Sequence, residues 1–310
     1  INDLRNESAR VDGKLSWELA AATLARELER IPRLSSLGKV PYLVVGFGMD
    51  GALLIDRTQP DAPRHHLIFD PSGCEGAFES QYPSPGRVLG NHACLTAAVV
   101  GRLAAQLIGK TNDAPAEEVS KSLIDGVKVG LCGMRSLLHD GHNPIKSADP
   151  PGFPFERLAE EIVKTDDPNW RFGHVELPKD ADRSHWTIIS EGETRPLWGL
   201  ARRVAMKGLG QLTSTPYLEF GKLFSVDRFE MESLRTLQRL LVTYRKDVKA
   251  TKPLSIASFG QPGSGKSFGV KQLADAVFED KSLLEFNLSQ FSKPEELLGL
   301  FHQVRDEVLR

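Results

Sequence analysis

The chain has 310 residues, enough for two compact domains, and 40% of them are hydrophobic, which excludes a disordered or fibrous class. Thirty-nine Lys and Arg stand against forty-one Asp and Glu, a formal charge of -2, so no global field draws the chain to nucleic acid or to an anionic membrane. Nucleic acid and membrane are therefore not expected partners.

Residues 15–31 place Leu15, Leu19, Ala22, Leu24, Leu28 and Ile31 at helical spacing, and Pro41–Val45 then reads as a buried strand. The glycine-rich run Gly46–Gly51 breaks that strand, and Ala52–Ile55 and His66–Phe69 read as two more. Residues 85–108 begin with Pro85-Gly86 and continue as a small-residue helix, and residues 115–138 form a second, amphipathic helix. From Asn143 to Leu212 the sequence is rich in Pro, Asp and Trp and reads as an α+β connector, with Ser184–Ile189 a short candidate strand. Trp170, Trp186 and Trp198 argue against disorder there and are read as core residues of a small insert. Asp227 and Glu230 stand in capping-box spacing before a helix that runs to Lys246, with Met231, Leu234, Leu237, Leu241 and Tyr244 along one side.

The most specific chemistry follows. Pro253–Phe259 reads as a strand that runs directly into Gly260-Gln261-Pro262-Gly263-Ser264-Gly265-Lys266-Ser267, the G-x-x-x-x-G-K-S pattern, with a helix after it. Glycines at 260, 263 and 265 let the backbone curl so that amides point at phosphate oxygens, and a helix start adds its positive dipole end. In that arrangement Lys266 is the catalytic residue, reaching the β- and γ-phosphates of ATP, and the Ser267 hydroxyl is the Mg²⁺ ligand, with Phe268 completing the nucleotide-binding set. Leu283–Phe291 reads as a further strand, and Ser292 with Glu295 as the cap of the next helix.

Residues 250–310 resemble the early part of an AAA+ ATPase module. The resemblance implies a parallel-sheet P-loop domain, ATP and Mg²⁺ as cofactors, a homo-oligomer of the full-length protein, and an acidic strand that this stretch does not contain. Asp306-Glu307 imitates the acidic pair only superficially, because Phe301–Arg305 before it is helical in pattern. Residues 1–145 resemble the C-terminal half of a ribokinase-like carbohydrate or nucleoside kinase, through Val44–Ala52 and Pro85–Ala93. Where that family places the aspartate that deprotonates its substrate, this chain has Asn91 or His92, depending on register, which implies an inactive domain that senses a ligand or partner.

The fold expected is α/β: a partial ribokinase-like domain over 1–145, a connector over 146–226, and a helix plus the start of a P-loop domain over 227–310. The function expected is that of a regulatory or remodelling ATPase, acting on a protein substrate or answering to a small ligand. The alternative is a sugar or nucleoside kinase carrying a regulatory P-loop. Cys74, Cys94 and Cys132, odd in number and widely spaced, fit reduced thiols, and no run approaches the ~18 apolar residues of a spanning helix, so a cytoplasmic location is expected. Beginning at Ile1, the chain reads as part of a longer one. His139 and His142 are read as a solvated turn, one of His65 and His66 as solvent-facing, and Arg202-Arg203 and Arg245-Lys246-Lys249 as solvated helix faces.

Overall fold

A computed structural model describes residues 1–32, 36–82, 89–108, 115–142, 152–163, 170–178, 185–191, 197–247, 249, 252–278 and 284–308. The chain is mixed α/β and divides into two compact units, Ile1–Leu218 with Ser225–Arg235, and Glu219–Phe224 with Thr236–Arg310.

The first unit opens with α1 (Asn2–Asn6) and α2 (Trp17–Arg30). The Ser16 hydroxyl caps α2 by accepting from the Leu19 amide at 3.1 Å. Three strands follow, β1 (Tyr42–Gly46), β2 (Gly51–Asp56) and β3 (Arg64–Phe69), then the antiparallel pair α3 (Asn91–Leu107) and α4 (Ala116–Asp140). Next come α5 (Phe155–Val163), β4 (Gly173–Glu176), α6 (Ile188–Glu191) and α7 (Leu197–Lys207). The sheet is antiparallel in the order β1-β2-β3-β4, with Val45 opposite Leu53, Leu53 opposite Leu67 and Leu67 opposite Val175.

Both faces of this sheet are covered, which is why every residue of β2 is buried rather than alternate ones. Leu53 and Ile55 join Trp17, Leu24 and Phe69 on the α2 side, while Ala52, Leu54 and Ile68 join Val127, Leu131 and Leu137 on the α4 side. Each such aliphatic side chain removed from water stabilises the fold by about 1.5–3 kcal/mol. Trp17 anchors one layer: its Nε1 donates to the Asp70 carbonyl at 2.8 Å and its ring meets Phe47 edge-on. On the other side α3 and α4 touch backbone to backbone, because a Cβ on Gly126 would lie 2.8 Å from Val99 Cα and one on Gly130 2.9 Å from Leu95 Cα.

The hairpin β5 (Leu218–Phe220) and β6 (Leu223–Ser225) leads to α8 (Arg228–Lys246), within which the division between the units falls. Asp227 Oδ1 accepts from the Glu230 amide at 2.8 Å, the cap read from the sequence. The second unit continues with α9 (Lys266–Val277) and α10 (Leu297–Val308).

Several expectations are corrected. Residues 253–259 and 284–287 are not strands. A strand is held by its neighbours' ladder, and among the described residues no segment pairs with either one. Leu254, Ile256 and Phe259 are accordingly exposed. Ile188 and Ile189 begin α6 rather than belonging to a strand, with the Ile188 side chain fully buried and its amide donating to Glu18 Oε1 at 3.0 Å. Residues 173–176, read as part of a connector, form β4 at the sheet edge. Ser292 is met by Glu296 rather than Glu295, since Pro294–Glu296 is a 3-10 turn that rotates the carboxylates by one residue. Trp186 is buried and Trp170 packs edge-on against Phe78, but Trp198 is 70% exposed. Both His65 and His66 are buried, because α2 covers one face of β3 and α4 the other. Pro85–Val88 lie outside the described residues.

Candidate nucleotide site

The loop from Gly260 to Gly265 ends on α9, whose first residue is Lys266. Gly263 and Gly265 have φ of 80° and 78°, the left-handed region that side chains disfavour, and Gly265 is the N-cap residue. The amide of Ser264 donates to the Gln261 carbonyl at 3.2 Å and that of Gly269 to the Gly265 carbonyl at 2.8 Å, closing first the turn and then the helix. The amides of Lys266, Ser267 and Phe268 precede the first intrahelical bond, so they have no partner within the helix and are available to an anion.

Lys266 folds over this loop. Its Nζ donates to the carbonyls of Gly260 at 2.7 Å and Gln261 at 2.6 Å, with the Ser264 hydroxyl at 3.4 Å. Gly260 leaves room for that: a Cβ there would stand 2.9 Å from Ser264 Oγ and 3.3 Å from Lys266 Cδ. Gly260, Gln261, Ser264 and Lys266 are thus gathered by hydrogen bonds. Pro262, Ser267 and Phe268 are exposed on the loop and the first helical turn. An ammonium, a run of free amides and a helix N-terminus together favour polyphosphate, and the Ser267 hydroxyl stands one residue along for a metal ion bound to it. Asp306 is exposed and paired with Arg305 at 2.7 Å.

The first unit holds two polar clusters that the sequence pattern does not single out. Arg135, buried on α4, donates from Nε to the Met49 carbonyl at 2.9 Å and places Nη2 3.2 Å from Asp50 Oδ1 and 2.8 Å from Asp70 Oδ2. Its guanidinium lies between the rings of Phe78 and Phe172, at 4.4 and 4.8 Å from their centroids. Asp50 also accepts the amides of Gly76 at 2.8 Å and Phe78 at 3.0 Å. Burial pushes the Asp50 carboxyl up to about 7, against the pull of Arg135 and the Phe78 amide. One sequence signal for this cluster was available: Arg135 follows Leu131 by four residues on the apolar side of a helix, where an unpaired cation is costly.

The second cluster joins β3 and β4. His66 Nδ1 and His174 Nε2 are 3.2 Å apart with ring centroids at 5.3 Å. Burial lowers both, His174 to about 4, helped by the neighbouring His66 and Lys128. At the start of α3, Gly90 has a φ of 90°, Asn91 is buried with its Oδ1 unpartnered among the described residues, and His92 is exposed.

Compared with protein-family models, with curated proteins and with solved structures, the chain has no match in any of the three. Among the described residues no helix is long and apolar enough to cross a membrane.

Proposed function

We propose that this chain is the ATP-binding part of a regulatory or remodelling P-loop ATPase of AAA+ type, cytoplasmic and oligomeric in its full-length form, with an N-terminal domain that senses a ligand or partner. The observation that carries the reading is the loop of Gly260–Ser267 opening α9, with Lys266 poised over two of its carbonyls. ATP would exchange those carbonyls for phosphate oxygens around the ammonium, and the free amides of the first helical turn would hold the phosphates without reorganisation. The Ser267 hydroxyl would hold a Mg²⁺ ion, which would supply positive charge against the phosphates.

Calorimetry with ATP and Mg²⁺ on this chain and on Lys266→Ala tests the reading, with ATPase assays on the full-length protein. Binding that survives the substitution unchanged would remove the loop from the site. A second reading, a sugar or nucleoside kinase of ribokinase type, is favoured by the buried Asn91 Oδ1 at the start of α3, which has no partner among the described residues. An asparagine there cannot serve as a base, so this reading expects Asn91→Asp to produce phosphoryl transfer to a hydroxyl substrate.

A further inference from the structure

At the end of the sheet opposite the Gly46–Gly51 turn, α2 and the strands border an open cavity of about 300 Å³. Leu28 and Glu29 come from α2, Ile55 and Arg57 from the end of β2, and Pro63 and His65 from the start of β3. This volume is at the lower end of small-molecule sites, which run roughly 300–1,000 Å³.

Arg57 is the unusual member. Its Nη1 donates to the Leu37 carbonyl at 3.1 Å, and among the described residues no carboxylate lies within ion-pair distance of it. The arginines at 5, 64, 135 and 228 each hold one, Glu75, Glu176, Asp50 and Glu232, whereas buried Arg235 is held, like Arg57, by backbone carbonyls, and Arg57 differs from it in lining a cavity. Burial lowers the Arg57 proton affinity, and only the more distant charge of Glu29 offsets it. A partly buried guanidinium at a cavity of mixed polar and apolar lining is stabilised by an anion brought from outside.

We infer that this cavity binds a small monocarboxylate with a short branched aliphatic body, its carboxylate on Arg57 and its chain against Leu28, Ile55 and Pro63. The planar fork of Arg57 matches a carboxylate, while Glu29, on the α2 side of the cavity, repels a dianion such as phosphate more strongly than a monoanion. The inference rests on the sensing role proposed for the first unit and gives it a ligand class, while the nucleotide loop stands independently of it.

Isovalerate is the probe, titrated calorimetrically into the whole chain and into Arg57→Gln and Arg57→Lys, with isovaleramide and inorganic phosphate as controls. Saturable binding on the order of 1 mM is expected for so small a ligand, at least tenfold weaker in Arg57→Gln and intermediate in Arg57→Lys. Circular dichroism of each variant establishes that it is folded, and an ATP titration on the same samples separates failure here from failure of the nucleotide reading. No saturation with isovalerate, equal binding of isovaleramide or phosphate, or unchanged affinity in folded Arg57→Gln would each overturn the assignment.

Discussion

The Lys266 ammonium donates to the Gln261 carbonyl at 2.6 Å, so the residue expected to hold phosphate also holds its own loop. Lys266→Ala therefore does two things. It weakens ATP binding by about 10- to 100-fold, the effect of losing one charge-assisted contact. It also loosens the ligand-free loop, so amide hydrogen exchange at Gln261–Ser264 quickens without nucleotide. Unchanged exchange there would mean that Lys266 contributes nothing to the resting loop.

Ser267 is exposed at the second position of α9, and its proposed task is the metal alone. Ser267→Ala should leave ATP binding in EDTA within about twofold of the parent and remove most of the gain that Mg²⁺ gives. An equal loss with and without Mg²⁺ would assign the hydroxyl to phosphate instead.

Arg135 neutralises Asp50 and Asp70 together, and all three tie the Gly46–Gly51 turn and the end of β3 to α4. Arg135→Met takes the cation and its donors away from the buried oxygens of Asp50 and Asp70, and should cost about 3–5 kcal/mol in urea unfolding. Asp50→Asn keeps Arg135 paired with Asp70 and mismatches one donor, at about 1–3 kcal/mol. If Arg135→Met proves the milder of the two, the cluster is not held as drawn.

Gly130 sits where α4 lies against Leu95 of α3, so close that a Cβ added to it would stand 2.9 Å from the Leu95 Cα. Backbone cannot yield as a flexible side-chain tip can, so Gly130→Ala should destabilise the first unit by about 1–3 kcal/mol despite the better helix propensity of alanine. A rise in Tm for this variant would show that the two helices have room to part.

Local chemistry is legible in the sequence wherever a segment makes its own structure. The capping of α8 by Asp227, the three strands flanking Gly46–Gly51 and the helix that starts at Lys266 each follow from spacing within a few residues. What the sequence hides depends on distant partners. Leu254-Ser255-Ile256 has strand composition but no pairing neighbour among the described residues, and composition alone forms no ladder. Gly173–Glu176 is short and carries no strand signal of its own, and only β3 makes it a strand. Alternation along His65 and His66 assumes one wet face, whereas both faces of β3 are covered. In the candidate site the Gly260–Ser267 loop is legible because its pattern is contiguous, and the Asp50–Arg135–Asp70 cluster is not, because its members come from three separate segments.

Acid should act on the first unit through His174. Burial, with His66 and Lys128 beside it, holds this imidazole at about 4, below its ordinary 6.5, while Glu176 pulls weakly the other way. The folded chain therefore keeps His174 neutral where the unfolded chain takes up a proton. The stability tied to it is complete above about pH 6.5 and is lost as the pH falls toward 4, amounting to about 2 kcal/mol at pH 5. Asp50 opposes this: held at about 7, it binds its proton more tightly in the folded state, and its contribution grows as the pH falls through the same window. The two cancel in part in the parent chain, so the informative quantity is the difference between the parent and His174→Gln, in which Asp50 is common. Between pH 7.5 and 5 the variant should lose about 2 kcal/mol less stability than the parent, read from urea unfolding at each pH. Parallel acid losses in the two proteins would mean that His174 is as free to take a proton in the folded chain as in the unfolded one.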